Sequence, residues 1–420
     1  MTTSNLHTVQ GDTGPEETRV EVLRLAIEKY NSYGYPLFMD TPAFGKLLSA
    51  RNLAFKKKIL LVNLRDAVVN AHLERVFTRA VSEAGVPGGR PALDVVHSFE
   101  GNYGLDMGGN TTGFRVKYSG MANLKDFVAR TSYAAVIFID LPYREEEFMP
   151  YAWLSLRYKA PEKHFIANDN LMPAGHLFGL DLAQELRLFD AFTTACIVNQ
   201  HSAGQWARFG RPRKGFLKRD YAMDCRYYDP SCSFDGGYML SCGMADRDFG
   251  PLLEAMGKTG TGMKLKIYTG TAPAVPAGLK RKVEIIPYVQ DCARLKQLVA
   301  GASFVALPVA GSRLNPGAGL GAAIISMAMG KVVLTLGSPC VKRYLKDGQN
   351  AFTYSSLSAP ELKKGIKRIL SLDIREKARI EAGARAAALR MNDMNPFAES
   401  YLNRLALLPR SLKRYPLPPF

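Results

Sequence analysis

Ala302-Ser-Phe-Val-Ala-Leu-Pro-Val-Ala-Gly-Ser-Arg-Leu-Asn-Pro-Gly-Ala-Gly-Leu-Gly-Ala-Ala-Ile-Ile-Ser-Met-Ala-Met-Gly-Lys-Val-Val-Leu-Thr335 is the stretch that decides the fold. It opens with a short apolar run, Phe304–Leu307, and passes through a glycine-rich loop, Gly311–Gly321. An apolar segment of helical length, Ala322–Met329, follows, and then a second apolar run, Val332–Thr335. Short apolar runs bounded by glycine and proline read as strands covered on both faces, so the order is strand, loop, helix, strand. A glycine-rich loop that opens on a helix N-terminus leaves backbone N–H groups turned to the space above it. Glycines at 317, 319 and 321 let an anionic group come close, and the helix dipole favours negative charge there.

Other segments repeat this strand and helix alternation on both sides. Lys56-Lys-Lys-Ile-Leu-Leu-Val-Asn63 leads a basic run into an apolar strand, and a helix is expected from about Ala71 to Ala84. Asp94–His97, Tyr133–Asp140, Lys163–Asn170 and Phe189–Gln200 read as further strands, with Ser202–Phe209 as a helix. Tyr133–Asp140 and Lys163–Asn170 end in polar groups, and doubly wound sheets bind ligands just beyond the carboxyl ends of their strands. The carboxylates Asp140 and Asp169, together with His176, are therefore candidates for a catalytic base. His72, His97 and His201 read as packing or surface residues.

From residue 237 onward the chain resembles the C-terminal half of GT-B glycosyltransferases, particularly the retaining glycosyltransferase family four. The likeness runs through Gly237-Tyr-Met-Leu-Ser-Cys-Gly-Met-Ala-Asp-Arg-Asp-Phe-Gly-Pro-Leu-Leu-Glu-Ala255, Leu265-Lys-Ile-Tyr-Thr-Gly270 and Val283-Glu-Ile-Ile-Pro-Tyr-Val289. It continues through Leu295-Lys-Gln-Leu-Val-Ala-Gly-Ala-Ser-Phe-Val-Ala-Leu-Pro308 and, past the central loop, Tyr344-Leu-Lys-Asp-Gly-Gln-Asn-Ala-Phe-Thr353. The order of these pieces carries the likeness, since none is specific alone. Asp220-Tyr-Ala-Met-Asp-Cys-Arg-Tyr-Tyr-Asp-Pro230 is similar to the interdomain crossover of that fold, with Ser231–Gly237 as its hinge.

The resemblance implies an α/β chain of two Rossmann-like domains facing each other across a cleft, divided near residue 230. Residues 1–17 are expected to be a disordered tail and 18–225 an acceptor domain. Residues 237–390 would be the nucleotide-sugar donor domain, and 391–420 a final helix, crossing back to the first domain, with a basic tail. The donor diphosphate would rest on Asn315-Pro-Gly-Ala-Gly-Leu-Gly321, contacting Gly317, Ala318, Gly319, Leu320 and Gly321. Arg247, with Gly243 beside it, falls near the position from which the family supplies a cation to the diphosphate, and Lys331 or Arg313 could replace it. Tyr288 and Val289 match the turn that reads the nucleobase through backbone groups.

One departure stands out. The family carries two glutamates on the donor-site loop and helix, one touching the sugar and one the ribose, and they align with Gly317 and Ile325. Both contacts must be lost or replaced here, and Ser326 or the Ser338-Pro-Cys-Val341 turn could meet the ribose. An inverting enzyme would use Asp140 or Asp169 to deprotonate the acceptor, whereas a retaining one would need no base. The rival readings are a catalytically inactive GT-B-like binding subunit and a nucleotide-sugar epimerase, whose paired carboxylates and histidine have no placement here.

Composition agrees with a globular protein. The 420 residues are 47% hydrophobic and 22% charged, enough for two cores. No apolar run approaches the ~20 residues of a membrane span, and no signal peptide is expected at the N-terminus. Six dispersed cysteines without ligand spacing predict reduced thiols, no metal and a cytoplasmic location. The net charge of +17, clustered at Arg208–Arg219, Lys264–Lys266, Lys280–Lys282 and Arg410–Tyr415, suits an encounter with an anionic membrane surface at its inner face. No nucleic-acid motif accompanies it. The expected partners are a nucleotide-sugar donor, as co-substrate and not resident cofactor, and a glycan or lipid-linked acceptor.

Overall fold

The structure, a computed structural model, describes residues 58–65, 67–83, 92–99, 103–107, 113–129, 131–142, 145–168, 187–198, 206–244, 246–311 and 317–404. The expected N-terminal tail and the basic tail from 410 lie outside these residues.

Among the described residues the strands form two parallel sheets, each folded in its own half of the chain. The first contains β1 (Lys58–Asn63), β2 (Ala92–His97), β3 (Arg115–Lys117), β4 (Ala135–Ile139), β5 (Glu162–Ile166), β6 (Thr194–Ile197) and β7 (Phe216–Lys218). Their spatial order is β3-β2-β1-β4-β5-β6-β7. Helices α1 (Val68–Glu83), α2 (Met121–Ala129) and α3 (Glu145–Leu156) belong to this half. The wholly apolar runs Ile59–Val62 and Val136–Phe138 occupy its centre, buried on both faces. The edge strands β3 and β7 are short and half polar, so neither shows in the sequence pattern. The stretch Arg208–Arg219, expected as a basic cluster, thus contains an edge strand and ends in a buried arginine.

The second sheet contains β8 (Tyr238–Cys242), β9 (Lys264–Thr269), β10 (Val283–Pro287), β11 (Ala302–Ala306), β12 (Val333–Leu336) and β13 (Phe352–Tyr354), in the order β10-β9-β8-β11-β12-β13. Its helices are α4 (Gly250–Thr259), α5 (Cys292–Ala300), α6 (Leu320–Ala328), α7 (Pro339–Lys342), α8 (Ala359–Leu370) and α9 (Ile374–Met391), the last opened by a capping box between Asp373 and Glu376. The final helix α10 (Met394–Arg404) crosses back to pack on α1, where Phe77 meets the rings of Phe397 and Tyr401 edge-on. Each sheet reverses direction once, between β1 and β4 and between β8 and β11. Crevices for ligands open at such switch points, beyond the carboxyl ends of the strands.

Residues 220–229 join the halves and are held by buried polar groups. Asp224 accepts from Arg75 and Arg79 at 3.1 Å each and from Asn395 Nδ2 at 3.1 Å. Burial opposes its charge, but Arg79, the Asn395 amide and Arg75 hold the carboxyl below its usual range. Arg385 Nη1 donates to the carbonyls of Cys225, Tyr228 and Ala328 at 3.1, 3.0 and 2.6 Å. One cation on α9 therefore caps the C-terminus of α6 and pins the crossover to it. An apolar cluster runs unbroken from Ile59 and Leu61 through Met223 and Tyr228 to Leu240 and Val305.

Replacing Arg385 by Met should cost about 2 kcal/mol, as expected for charge-assisted hydrogen bonds lost from buried carbonyls. A lower urea midpoint of unfolding is the readout, and an unchanged midpoint would refute the role.

Acid should also destabilise the fold. Burial lowers the pKa of His72 from 6.5 to about 4 and that of His97 to about 3, and it lowers His164 against the pull of Glu162. Between pH 6.5 and about 4 the unfolded chain therefore binds protons that the folded chain excludes. Stability is full above this window and falls as pH drops through it, by up to about 1.4 kcal/mol per unit for each histidine. Urea midpoints measured from neutral pH to about pH 5 should decline steadily.

Candidate functional site

The switch point of the second sheet gathers most of the residues singled out from the sequence. β8 leaves through Gly243, at φ 112°, and α6 is entered through Gly319, at φ 84°. The two loops bind each other: Asp248 N–H donates to Pro308 O at 3.1 Å, and Ala310 N–H to Asp246 O at 3.0 Å. Arg247 lies between these contacts, in an antiparallel bridge with Val309. Its side chain folds back, with Nε donating to Cys242 O at 3.2 Å.

The glycines are required by this packing. A Cβ on Gly243 would lie 2.4 Å from Arg247 Nη2, and one on Gly319 would lie 2.7 Å from Val309 and 3.6 Å from both terminal guanidinium nitrogens. The left-handed backbone at both positions adds its own strain for any other residue. The guanidinium is therefore seated against the N-terminus of α6, where helix dipole and cation act in the same direction. Burial, the largest influence, pulls the Arg247 pKa below its ordinary value. Gly317, Ala318 and Leu320 are buried beside it. Gly321 meets the crossover, since a Cβ there would come within 3.0 Å of Tyr221 Oη.

Other expectations are corrected. Ile325 is 5% exposed and belongs to the apolar cluster, so it presents no polar group to a ribose. Ser326 is fully buried, and its hydroxyl donates to Ala322 O within the same helix at 2.7 Å, which removes it as a ribose ligand. Ser338 caps α7 by accepting from Val341 N–H. Lys331 lies at the opposite end of α6 and donates to Phe234 O at 2.8 Å, too far round to stand in for Arg247. Arg313 and Asn315 are outside the described residues.

Val289 cannot read a base through its backbone as expected. Its N–H donates to Tyr268 Oη at 3.1 Å, and its carbonyl accepts from Tyr268 Oη at 2.5 Å and from Asp291 N–H at 2.8 Å. The Tyr288 N–H is taken by Thr269 O. This edge instead presents apolar surface, with Val289 50% and Met244 58% exposed. Met244 reaches over Gly270, its sulfur 3.0 Å from where a Cβ would stand. No sequence spacing pointed to Met244, because the contact joins the ends of two strands.

At the first switch point Asp140 is buried and held in a left-handed backbone, φ 49°. Its Oδ1 accepts from Asn168 N–H at 2.6 Å, and its Oδ2 lies 3.5 Å from Arg65 Nη1. Asp140 is thus a fixed partner within the sheet edge and not a carboxylate facing an open cleft. Asp169, His176 and His201 are outside the described residues. His72 bonds Tyr228 Oη at 3.1 Å, and the His97 ring accepts from Phe99 N–H, so both pack. Arg65, Asn168 and Arg219 were missed, although the first two follow apolar runs, as strand-end residues do; Arg219 follows the mixed edge strand β7, which gave no signal. Among the described residues no cluster of three or more His, Cys, Asp and Glu could hold a metal ion. No described helix is long and apolar enough to cross a membrane.

No family model matches the chain, and no curated protein is similar in sequence. Solved structures are similar. HepE of Anabaena, in complex with UDP and glucose, aligns at a TM-score of 0.61 and 14% identity over 83% of this chain and 99% of that one. A sucrose-phosphate synthase from Thermosynechococcus elongatus gives 0.60 and 11%, over 84% of this chain and 99% of the other. The apo form of the lipopolysaccharide outer core galactosyltransferase WaaB gives 0.52 and 12%, over 84% of this chain and all of WaaB, 100%. At such identities the likeness is one of fold: the chain has the GT-B architecture of two Rossmann-like domains.

Proposed function

We propose that this protein is a glycosyltransferase that moves a sugar from a nucleoside-diphosphate donor to a glycan or lipid-linked acceptor, working at the cytoplasmic face of a membrane. The observation that carries this is the Arg247 guanidinium, seated between Gly243 and Gly319 at the N-terminus of α6, at a topological switch point. HepE, which shares the fold, has been captured with UDP-glucose.

When the glycosidic bond breaks, negative charge builds on the leaving diphosphate. Backbone N–H groups at the start of α6 and the Arg247 guanidinium are already oriented towards that charge, so little reorganisation is needed. Gly317, Ala318, Gly319, Leu320 and Gly321 would pass beneath the phosphates, and Tyr288, Val289 and Met244 would flank the base. With Gly317 and Ile325 in place of acids, the sugar and ribose must be held by other groups. On the acceptor side Asp169 is the candidate base. Asp140 would orient it through Asn168, whose N–H Asp140 already holds. The charge of +17 would draw the protein to an anionic membrane surface.

A screen of nucleotide-sugar donors with the purified protein and membrane extract tests this. At least one donor should release its nucleoside diphosphate. Arg247→Ala should reduce kcat/KM about 10²–10³-fold, the usual cost of one donor to a developing anion, and Asp169→Asn should slow transfer more than donor binding. Release from no donor would favour an inactive binding subunit.

A second measurement locates the diphosphate. Gly319→Asp puts a carboxylate against it and forces a side chain onto Val309 and into a left-handed backbone. Titration calorimetry should show nucleoside diphosphate binding weakened by at least about 1 kcal/mol. Unchanged affinity in a folded variant would move the site elsewhere.

A further inference from the structure

The C-terminal edge of the first sheet carries a buried polar row that the donor corner does not use. It runs from Arg65 after β1, through Asp140 after β4 and Asn168 after β5, to Arg219 after β7. Arg65 Nη1 stands 3.5 Å from Asp140 Oδ2, and Asp140 Oδ1 accepts from Asn168 N–H at 2.6 Å. Asn168 Oδ1 in turn accepts from Arg219 Nη2 at 2.6 Å. The row therefore links the ends of four strands, with a guanidinium at each end.

Arg219 ends the row. It is 8% exposed, and its direct partners are neutral: the two Asn168 oxygens, at 2.6 and 3.4 Å, and the ring of Phe397, 4.7 Å from the guanidinium carbon, while the Asp140 carboxylate acts on it only through space. Its Nε and Nη1 are buried and make no hydrogen bond. Asp140 is already engaged by Arg65 and Asn168. Asp220, the next residue, turns away to Arg343 at 2.7 Å and Tyr344 Oη at 3.0 Å. Arginine is rarely buried without an anion, and each buried donor left unbonded opposes folding. One N–H on Nε and two on Nη1 remain, more than the two oxygens of a carboxylate would meet singly and well suited to the three or four of a phosphate.

We infer that Arg219 forms an oxyanion site for a phosphate group, placed between the edge of the first sheet and the crossover. The phosphate is either free in solution or carried by the acceptor. Arg219 follows a strand of the first sheet and Arg247 a strand of the second, and occupancy of the one does not depend on whether the other takes a nucleotide.

Thermal melts of the full chain at fixed ionic strength, with phosphate replacing chloride, test this. The wild type and Arg247→Ala should both show a saturable rise in Tm, as ligand binding to the folded state requires. Arg219→Gln should abolish it. Arg219→Lys, which keeps the charge but not the planar fork, should weaken the apparent affinity at least tenfold. A stronger response to glycerol phosphate than to inorganic phosphate would assign the group to an acceptor, and the reverse order to free phosphate. A rise that never saturates, an Arg219→Gln response equal to the wild type, or loss of the response in Arg247→Ala would overturn the site. Should Arg219→Gln fail to fold, unchanged affinity in Arg219→Lys would overturn it as well.

Discussion

Two polar knots, one around the buried Asp224 carboxylate and one around the half-buried Arg385 guanidinium, hold the crossover at residues 220–229 between the sheets. Asp224 faces Arg75 and Arg79 on the first half and Asn395 on the returning helix. Arg385 collects three carbonyls, two from the crossover and one from the end of α6. A buried charge is costly unless its partners are well placed, so each knot favours one arrangement over its neighbours. The carbonyls held by Arg385 tie the far end of α6 to the crossover. Tyr221 touches the near end, at Gly321. The helix beneath the proposed phosphate site is therefore gripped at both ends by the segment that joins the domains.

The donor corner shows how backbone conformation positions a charge. Gly243 and Gly319 adopt conformations that L-residues rarely take, and in doing so clear the space that the Arg247 guanidinium occupies. The cation is held by Cys242 O and by pairing of its own backbone with Val309, so its placement does not rely on a flexible stem. An arginine held this way is prepared for an anion before one arrives. Arg219 is held instead by Asn168 and the ring of Phe397, with its Nε and Nη1 left unbonded.

Local pattern was enough for the central strands and the glycine loop. Ile59–Val62, Val136–Ile139 and Phe304–Ala306 are apolar without a break because both faces of a parallel sheet are covered, and such runs are visible in one dimension. Edge strands such as Phe216–Lys218 have one open side and mixed composition, and they leave no such trace. Gly243, Arg247 and Gly319 could be named from the chain, although their mutual contact could not. The saturation of Val289 by Tyr268 and Asp291 is likewise invisible in sequence, since it joins groups from two strand ends and a helix cap.

By itself the sequence determined the fold class, the alternation of strand and helix, and a glycine-rich turn able to admit an anion. These follow from short-range rules, namely periodicity, the conformational freedom of glycine and the exposed N–H groups of a helix start. Only the tertiary structure decided which polar residues are available for chemistry. It withdrew Ser326 into its own helix, sent Lys331 to Phe234 O, and buried Asp140 between Arg65 and Asn168. It also placed Arg219, which in sequence is one of many cations, where its Nε and Nη1 are buried without a hydrogen-bond partner. A side chain's role depends on which groups far along the chain compete for its hydrogen bonds, and that competition exists only once the two sheets and the crossover have packed.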